Sequence, residues 1–300
     1  MVWHGGISGS IPLKIAEKNH FSEIITNPKL LENLPFSGIN FSETVFSSMN
    51  IFTSLILIII VPTSLFYIGK LKPNGAKIKF EKSQKKKTNE VIIGAEKIDY
   101  SFYFSKIVGL VILLIAIRKA IFAESLSFIN PNFVNLSLFG IAIILHDHFN
   151  SFLNSVQEAI SSASGILIQF PLYFGIMGVM TKSGLVNIFA DFFVTISNQT
   201  TYPIFTMLSG GLVNIFVPSG GGQWAVQGII VLQSAVDLNL PIAKSIMALV
   251  YGDQLTNMLQ PFWALPLLGI TQLKAKEILP YSLVLFCIGL IIFTASLLIF

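Results

Sequence analysis

The sequence predicts an all-α integral membrane protein, on three observations. Apolar residues fill 53% of the 300 positions and charged residues only 11%, against roughly 25% charged in soluble domains. Mean hydropathy is +0.74, so too few charges remain to coat a water-facing globule. Between residues 201 and 270 the only charges are Asp237, Lys244 and Asp253, which leaves room for roughly two or three crossings of about 20 residues each.

Residues 1–43 open on Trp3-His4-Gly5-Gly6-Ile7-Ser8-Gly9-Ser10, with no charged segment ahead of an apolar core and hence no secretory signal. Residues 13–34 are polar enough to predict a loop with a short helix. Residues 44–68 predict the clearest span, because Ile51 to Val61 is almost unbroken aliphatic sequence. Pro62 predicts a kink near its end, and Tyr67 an anchor at the interface.

Residues 69–103 hold nine lysines and four acids. This one linker carries the whole basic excess, so the net charge of +4 does not point to nucleic acid. A lysine-rich loop beside a span reads as cytoplasmic. Residues 104–123 predict a second span with Arg118 and Lys119 at its far end. Residues 132–146 are apolar but short, and end in His146-Asp147-His148, whose adjacent positions on a helix cannot easily share a metal.

From 146 to 270 the apolar pieces are short and broken, at Pro171, at Pro218, at Gly252-Asp253 and at Pro261. Broken backbone survives at membrane depth only inside protein or beside a wet cavity. Pairs of short, Gly/Pro-interrupted segments point to the binding site of a secondary transporter. Residues 278–300 predict the last span. Residues 1–300 therefore form one membrane domain, with 146–270 as its transport core. The one cysteine, Cys287, excludes an internal disulfide and a thiolate metal cluster. No cofactor or metal is called for.

Two constellations carry the chemistry. In Pro218-Ser219-Gly220-Gly221-Gly222-Gln223-Trp224-Ala225-Val226-Gln227 the glycines interrupt a helix, at about 1 kcal/mol each relative to alanine. A helix starting near Gln223 would offer unpaired N–H groups and a partial positive charge to an anion. A carboxylate fits this cradle, with Ser219, Gln223 and Gln227 as neutral donors and Trp224 against an alkyl tail. An ordinary turn between spans is the plainer alternative.

In Tyr251-Gly252-Asp253-Gln254-Leu255-Thr256-Asn257-Met258-Leu259-Gln260-Pro261, Asp253 is an intramembrane acid, expensive and hence a functional candidate. Thr256, Asn257 and Gln260 would join it in handling a coupling cation, H+ or Na+. A helix-capping Asp is the plainer alternative. The opening His4, Gly5, Gly6 and Ser8 repeat the style of the first constellation and are taken as its counterpart. Gly220-Gly221-Gly222 lacks the Lys-Ser/Thr ending of a phosphate loop, which speaks against an ATP-driven pump, and no spacing asks for hydrolase chemistry.

Val217 to Gly228 (VPSGGGQWAVQG), Tyr251 to Leu268 (YGDQLTNMLQPFWALPLL), Trp3 to Ser10 and Ala163 to Gly178 together resemble the short-chain fatty acid transporter family, within the ion-transporter superfamily. The resemblance implies inverted repeats with re-entrant hairpins and uptake of short-chain fatty acids such as butyrate or acetoacetate across a bacterial inner membrane. It also implies a longer N-terminal part, so the first repeat is expected to be incomplete here. A homo-oligomer is left open. The rival readings are an uncoupled permease for another small organic anion, a membrane-embedded enzyme or assembly subunit, and an inactive fragment.

Overall fold

A computed structural model describes residues 3–25, 28–32, 34, 38–71, 93–123, 128–129, 131–260, 264, 267–268, 271 and 273–300. These are helices and connections, with no strand among the described residues. The lysine-rich stretch 72–92 and Pro261 lie outside them. The chain divides into two compact units: 1–77, 166–268 and 272–300 form one, and 78–165 with 269–271 form the other.

The first unit opens with three short helices, α1 (Ser10–Ile15), α2 (His20–Ile24) and α3 (Pro28–Glu32). Ile11, Ile15, Phe21, Ile25, Leu30 and Leu34 are buried in the main core with Trp224, Leu249 and Phe293. The predicted loop is thus a helical cover, because its apolar residues recur at spacings that share a face.

Helix α4 (Ser48–Leu71) runs through Pro62 to Leu71, so the proline lies inside the helix rather than near its end. Two described helices are long and apolar enough to cross a membrane: α4 and the final helix, Ala275–Ile299. Ile51, Leu55, Ile58 and Ile59 on α4, and Leu283 and Ile291 on the final helix, are exposed. Such apolar surface belongs in lipid, and the protein is a membrane protein.

In the second unit, α5 (Glu96–Asp99) is followed by α6 (Phe102–Ile121), the predicted second span, and by α7 (Pro131–Leu145). Helix α8 (Phe149–Lys182) runs from this unit into the first and is helical through Pro171. Its last part, Phe174–Lys182, meets α9 (Leu185–Thr195) at 64°. Gly184, at φ 75°, makes that turn, a conformation glycine reaches without penalty.

Three helices build the centre of the first unit: α10 (Tyr202–Phe216), α11 (Gly220–Asp237) and α12 (Ile242–Thr256). A 3-10 turn over Asn257–Leu259 follows α12, and α13 (Ala275–Ile299) closes the chain. At 1.5 Å per residue, α10 and α11 are about 22 and 27 Å long, short of a hydrocarbon core of ~30 Å.

Helices α10 and α11 form an antiparallel hairpin. Tyr202 Oη donates to Val231 O (3.0 Å), Gln227 Nε2 to Ser209 Oγ (2.7 Å) and Gln223 Nε2 to Gly210 O (2.6 Å). Partners run in opposite directions, as a re-entrant hairpin requires.

Helix α12 does not break at Gly252-Asp253 as the sequence suggests. The glycine serves packing instead. A Cβ there would lie 2.0 Å from Met207 O and 2.8 Å from Gly211 N, so the backbones of α10 and α12 touch. Every residue from Ser245 to Thr256 is buried.

Candidate functional site

The ends of α10, α11 and α12 meet the opening turn of the chain. Ser219 caps α11, its hydroxyl accepting from Gly222 N at 3.3 Å. The helix therefore begins at Gly220 rather than near Gln223, and the three glycines are its first turn rather than a break. Close approach explains two of them. A Cβ on Gly220 would stand 3.0 Å from Asp253 Oδ2 and 3.4 Å from His4 Nδ1, and one on Gly222 would stand 3.2 Å from Met177 Sδ. Gly221 has room, with Ser10 Cβ at 3.8 Å. The first two N–H groups of α11, on Gly220 and Gly221, find no acceptor among the described residues.

Asp253 is fully buried, and its Oδ2 pairs with His4 Nδ1. The Trp3–Ser10 segment is held there by its backbone. His4 N donates to Gln254 Oε1 at 2.9 Å, and Asn50 Nδ2 on α4 donates to Gly5 O at 2.9 Å. Tyr251 Oη donates to Asn50 Oδ1 at 3.1 Å, which ties α12 to the same point. His4 Nε2 also pairs with Asn257 Nδ2 at 3.1 Å. The sequence-predicted residues His4, Gly220, Asp253 and Asn257 thus come together from three distant parts of the chain.

Asn214, two residues before the end of α10, is the hub that sequence reasoning misses. Its Nδ2 donates to Asp253 O (2.9 Å), Thr256 Oγ1 (3.0 Å) and Asn257 Oδ1 (2.8 Å). Gln260 Nε2 in turn donates to Asn214 O at 2.8 Å. The available signal is the one carboxamide in a helix whose other polar side chains are hydroxyls, about one turn after Gly210-Gly211. An isolated amide at that depth needs partners.

Other predicted site residues lie elsewhere. Trp224 does not face an open cradle. It is buried in the core, with Nε1 donating to His20 Nε2 at 2.8 Å. Gln227 locks the hairpin, accepting from Gln223 Nε2 at 3.1 Å. Ser8 Oγ accepts from the exposed Trp3 indole at 2.9 Å, and Gly6 N closes a turn onto Trp3 O. His146 bonds Ala142 O and Ser155 Oγ on its own unit.

A cavity of about 310 Å³ meets the cluster at Asn257 and Gln260. Met258, Ala264, Leu267, Ile278 and Leu279 give it an apolar wall, and Ser282 adds a hydroxyl. The junction therefore combines a helix N-terminus, a buried acid paired with a histidine, an amide network and an apolar recess. Such a set can hold a small amphiphilic anion. Among the described residues no three His, Cys, Asp or Glu side chains gather as metal ligands.

Residues 1–300 match the family described as "Short chain fatty acid transporter". A protein of Escherichia coli (strain K12), named "Putative short-chain fatty acid transporter", is 34% identical over 309 residues, spanning 98% of this chain and 67% of the relative. One of the same name from Haemophilus influenzae is 34% identical over 300 residues, spanning 98% of this chain and 65% of the relative. The chain thus spans about two thirds of the length of these relatives. No solved structure matches it.

Proposed function

This chain belongs to the short-chain fatty acid transporter family, and from that premise we propose that it is a secondary carrier for small monocarboxylates such as butyrate or acetoacetate. It works as a multi-pass protein of the inner membrane, with the lysine-rich linker on the cytoplasmic side. The observation that carries the reading is the meeting of the α11 N-terminus with the His4–Asp253 pair beside the cavity at Asn257.

The substrate carboxylate takes the N–H groups of Gly220 and Gly221, where the helix dipole favours negative charge. Its alkyl tail takes the wall of Met258, Leu267 and Leu279. Neutral donors suit an anion that must also leave, since a fixed cation in low dielectric would hold it far more strongly. Asp253 lies against Gly220, so its charge opposes a second carboxylate unless a cation neutralises it. That opposition is the physical basis for coupling to a cation.

Labelled butyrate uptake into proteoliposomes tests the reading, with the wild type against Gly221→Leu. The Cβ has room at Gly221, so a bulky side chain covers the N–H groups without displacing a helix. Uptake is expected to fall by ~10-fold or more, the weight of a lost charge-assisted hydrogen bond. Equal uptake from both sinks the cradle. Counterflow separates a carrier from an uncoupled permease: preloaded unlabelled butyrate accelerates labelled uptake only through a carrier.

A further inference from the structure

We propose that the coupling ion is Na+, held by the side-chain oxygens of Asn214, Gln223, Asp253 and Gln260; this rests on the monocarboxylate reading above. These four oxygens, Asn214 Oδ1, Gln223 Oε1, Asp253 Oδ1 and Gln260 Oε1, are buried and accept no hydrogen bond from the described residues. A buried acceptor left without a partner bears its desolvation cost uncompensated. Four in one junction ask for a single compensating species.

Their orientation is set by the other ends of the same groups. The Asn214 amide nitrogen faces three oxygens of α12 and its following turn. Gln223 Nε2 faces Gly210 O, and Gln260 Nε2 faces Asn214 O. Turning any of these amides around would set oxygen against oxygen, so the free oxygens stay free.

The four residues are also neighbours. Asn214 touches Asp253 and is touched by Gln260. Gly210, which Gln223 bonds, lies one turn before Asn214 on the same face of α10. Gly220, one turn before Gln223 on α11, lies against Asp253 Oδ2. The C-terminal end of α10, where partial negative charge collects, falls beside this group.

Water is a poor fit. Each molecule donates only two hydrogens, so four acceptors would need at least two ordered waters, where one cation can serve all four. A hard cation takes oxygen ligands alone, and half-helix ends with amide oxygens are a familiar setting for Na+ in carriers. One carboxylate and three neutral amides balance a single positive charge, whereas a divalent ion would leave a net buried charge, which is expensive. A single carboxylate draws the smaller Na+ more strongly than K+, because the ion's charge comes closer to it.

The site refines the sequence-based set. Thr256 Oγ1 and Asn257 Oδ1 accept from Asn214, so they brace the ligands rather than bind the ion, while Asn214 and Gln223 join it. Bound Na+ cancels the Asp253 charge beside Gly220 and thereby opens the α11 N-terminus to a carboxylate. Cation and anion affinities then rise together, and by the same factor.

The test is thermal unfolding of the whole purified chain in detergent, without butyrate, in NaCl, LiCl, KCl or choline chloride at matched ionic strength. A ligand that binds the folded state raises the midpoint with concentration. Na+ is expected to give a saturating rise that choline and K+ do not. In Asp253→Asn the apparent Na+ affinity should fall at least ~10-fold. Ser137→Ala, on an α7 hydroxyl that bonds its own helix at Phe133 O, should keep the Na+ response.

Equal midpoints in NaCl and choline chloride overturn the proposal. So does a Na+ response that survives unchanged in Asp253→Asn, or one lost equally in Ser137→Ala. If Asp253→Asn does not fold, radiolabelled Na+ binding to Gln260→Met decides instead: weakened binding supports the site, and retained wild-type affinity overturns it. Butyrate uptake is scored separately. Uptake indifferent to Na+ sinks the coupling while leaving the carrier, and a Na+ response without butyrate uptake sinks the carrier while leaving the cation site.

Discussion

Two helix pairs in this protein use glycine to come close, and only one of them does so to build a site. In the α6–α7 pair, a Cβ on Gly109 would meet Ile144 Cγ1 at 2.6 Å and the Gly140 carbonyl oxygen at 2.9 Å, and one on Gly140 would meet Leu113 side-chain atoms at 3.0 Å. The side chains at this contact are aliphatic. Its polar link is at the end, where Lys106 donates to Ile144 O and His146 O and caps α7. The outer face of α6 exposes Ile107, Leu110, Leu114 and Ile115.

In the α10–α12 pair the glycines bring backbone against backbone. Gly252 meets Met207 O, and Gly211 meets Gly252 O and Thr256. That proximity lets one amide, Asn214, reach three oxygens of α12 and its following turn at once. Lipid gives no hydrophobic reason for helices to associate, so close packing and interhelical hydrogen bonds carry the association. The α6–α7 pair relies mainly on the first, and the α10–α12 pair uses both.

The comparison breaks most sharply at Gly252. Gly252→Ala sets a Cβ into the Met207 carbonyl, and neither backbone can yield without moving the hairpin. A loss of ~3 kcal/mol or more is expected, read as a collapse of the thermal midpoint or of folded yield. Gly109→Ala meets an isoleucine side chain and, at 2.9 Å, the Gly140 carbonyl, a looser backbone approach than the 2.0 Å at Gly252. It should cost about 1–2 kcal/mol and leave the KM for butyrate unchanged. Equal losses at the two positions would refute the idea that the closer backbone approach at Gly252 sets the cost.

Next is Asn214→Leu, which keeps the volume and strips the amide. Asp253 O, Thr256 Oγ1 and Asn257 Oδ1 lose a shared donor, at about 1–3 kcal/mol, with uptake abolished. Ser137→Ala, on the α7 hydroxyl that bonds its own backbone at Phe133 O, should stay within ~0.5 kcal/mol and leave uptake intact.

A smaller effect is tied to pH. Burial holds the His20 imidazole below its usual value, with Glu17 and Glu23 opposing and Lys14 assisting. Its Nε2 accepts the Trp224 N–H and must stay unprotonated. A base whose folded pKa is depressed binds its proton better when unfolded. The stability from this contact is therefore full above about 6.5 and is lost as pH falls through the lower folded value. The midpoint should drop between pH 7.5 and 5.5 by the worth of one hydrogen bond, about 1 kcal/mol. His20→Gln keeps an acceptor and should flatten the profile.

The smallest effect is expected at the exposed Lys14–Glu17 pair, 3.2 Å apart. Lys14→Ala should shift stability by no more than ~0.5 kcal/mol, and that shift should vanish in high salt.

Much of this architecture is legible in the residues alone. The spans at α4 and α13 follow from aliphatic runs with few charges, because a helix in lipid must be apolar nearly all round. Asp253 stands out because charge is scarce around it, whereas Ser219 reads as a donor beside a glycine break and is shown to be a helix cap only by the structure. His4, at the other end of the chain, groups with the glycine motif by composition alone, and nothing local says that it meets Asp253. Gly252 reads as a break because glycine weakens an isolated helix, whereas in the fold it admits a neighbouring one. Trp224 and Gln227 look like site residues because polar groups in an apolar helix suggest a ligand; their partners, His20 and Ser209, lie on other elements.

The sequence by itself determined the solvent and the class: composition and apolar run length decide that the helices lie in lipid, since hydrophobicity is a sum over local residues. Only the tertiary structure decided which polar groups are spent on one another and which oxygens are left over. Hydrogen-bond satisfaction is pairwise and long-range. Asn214, Asp253 and His4 acquire their roles from residues dozens to hundreds of positions away.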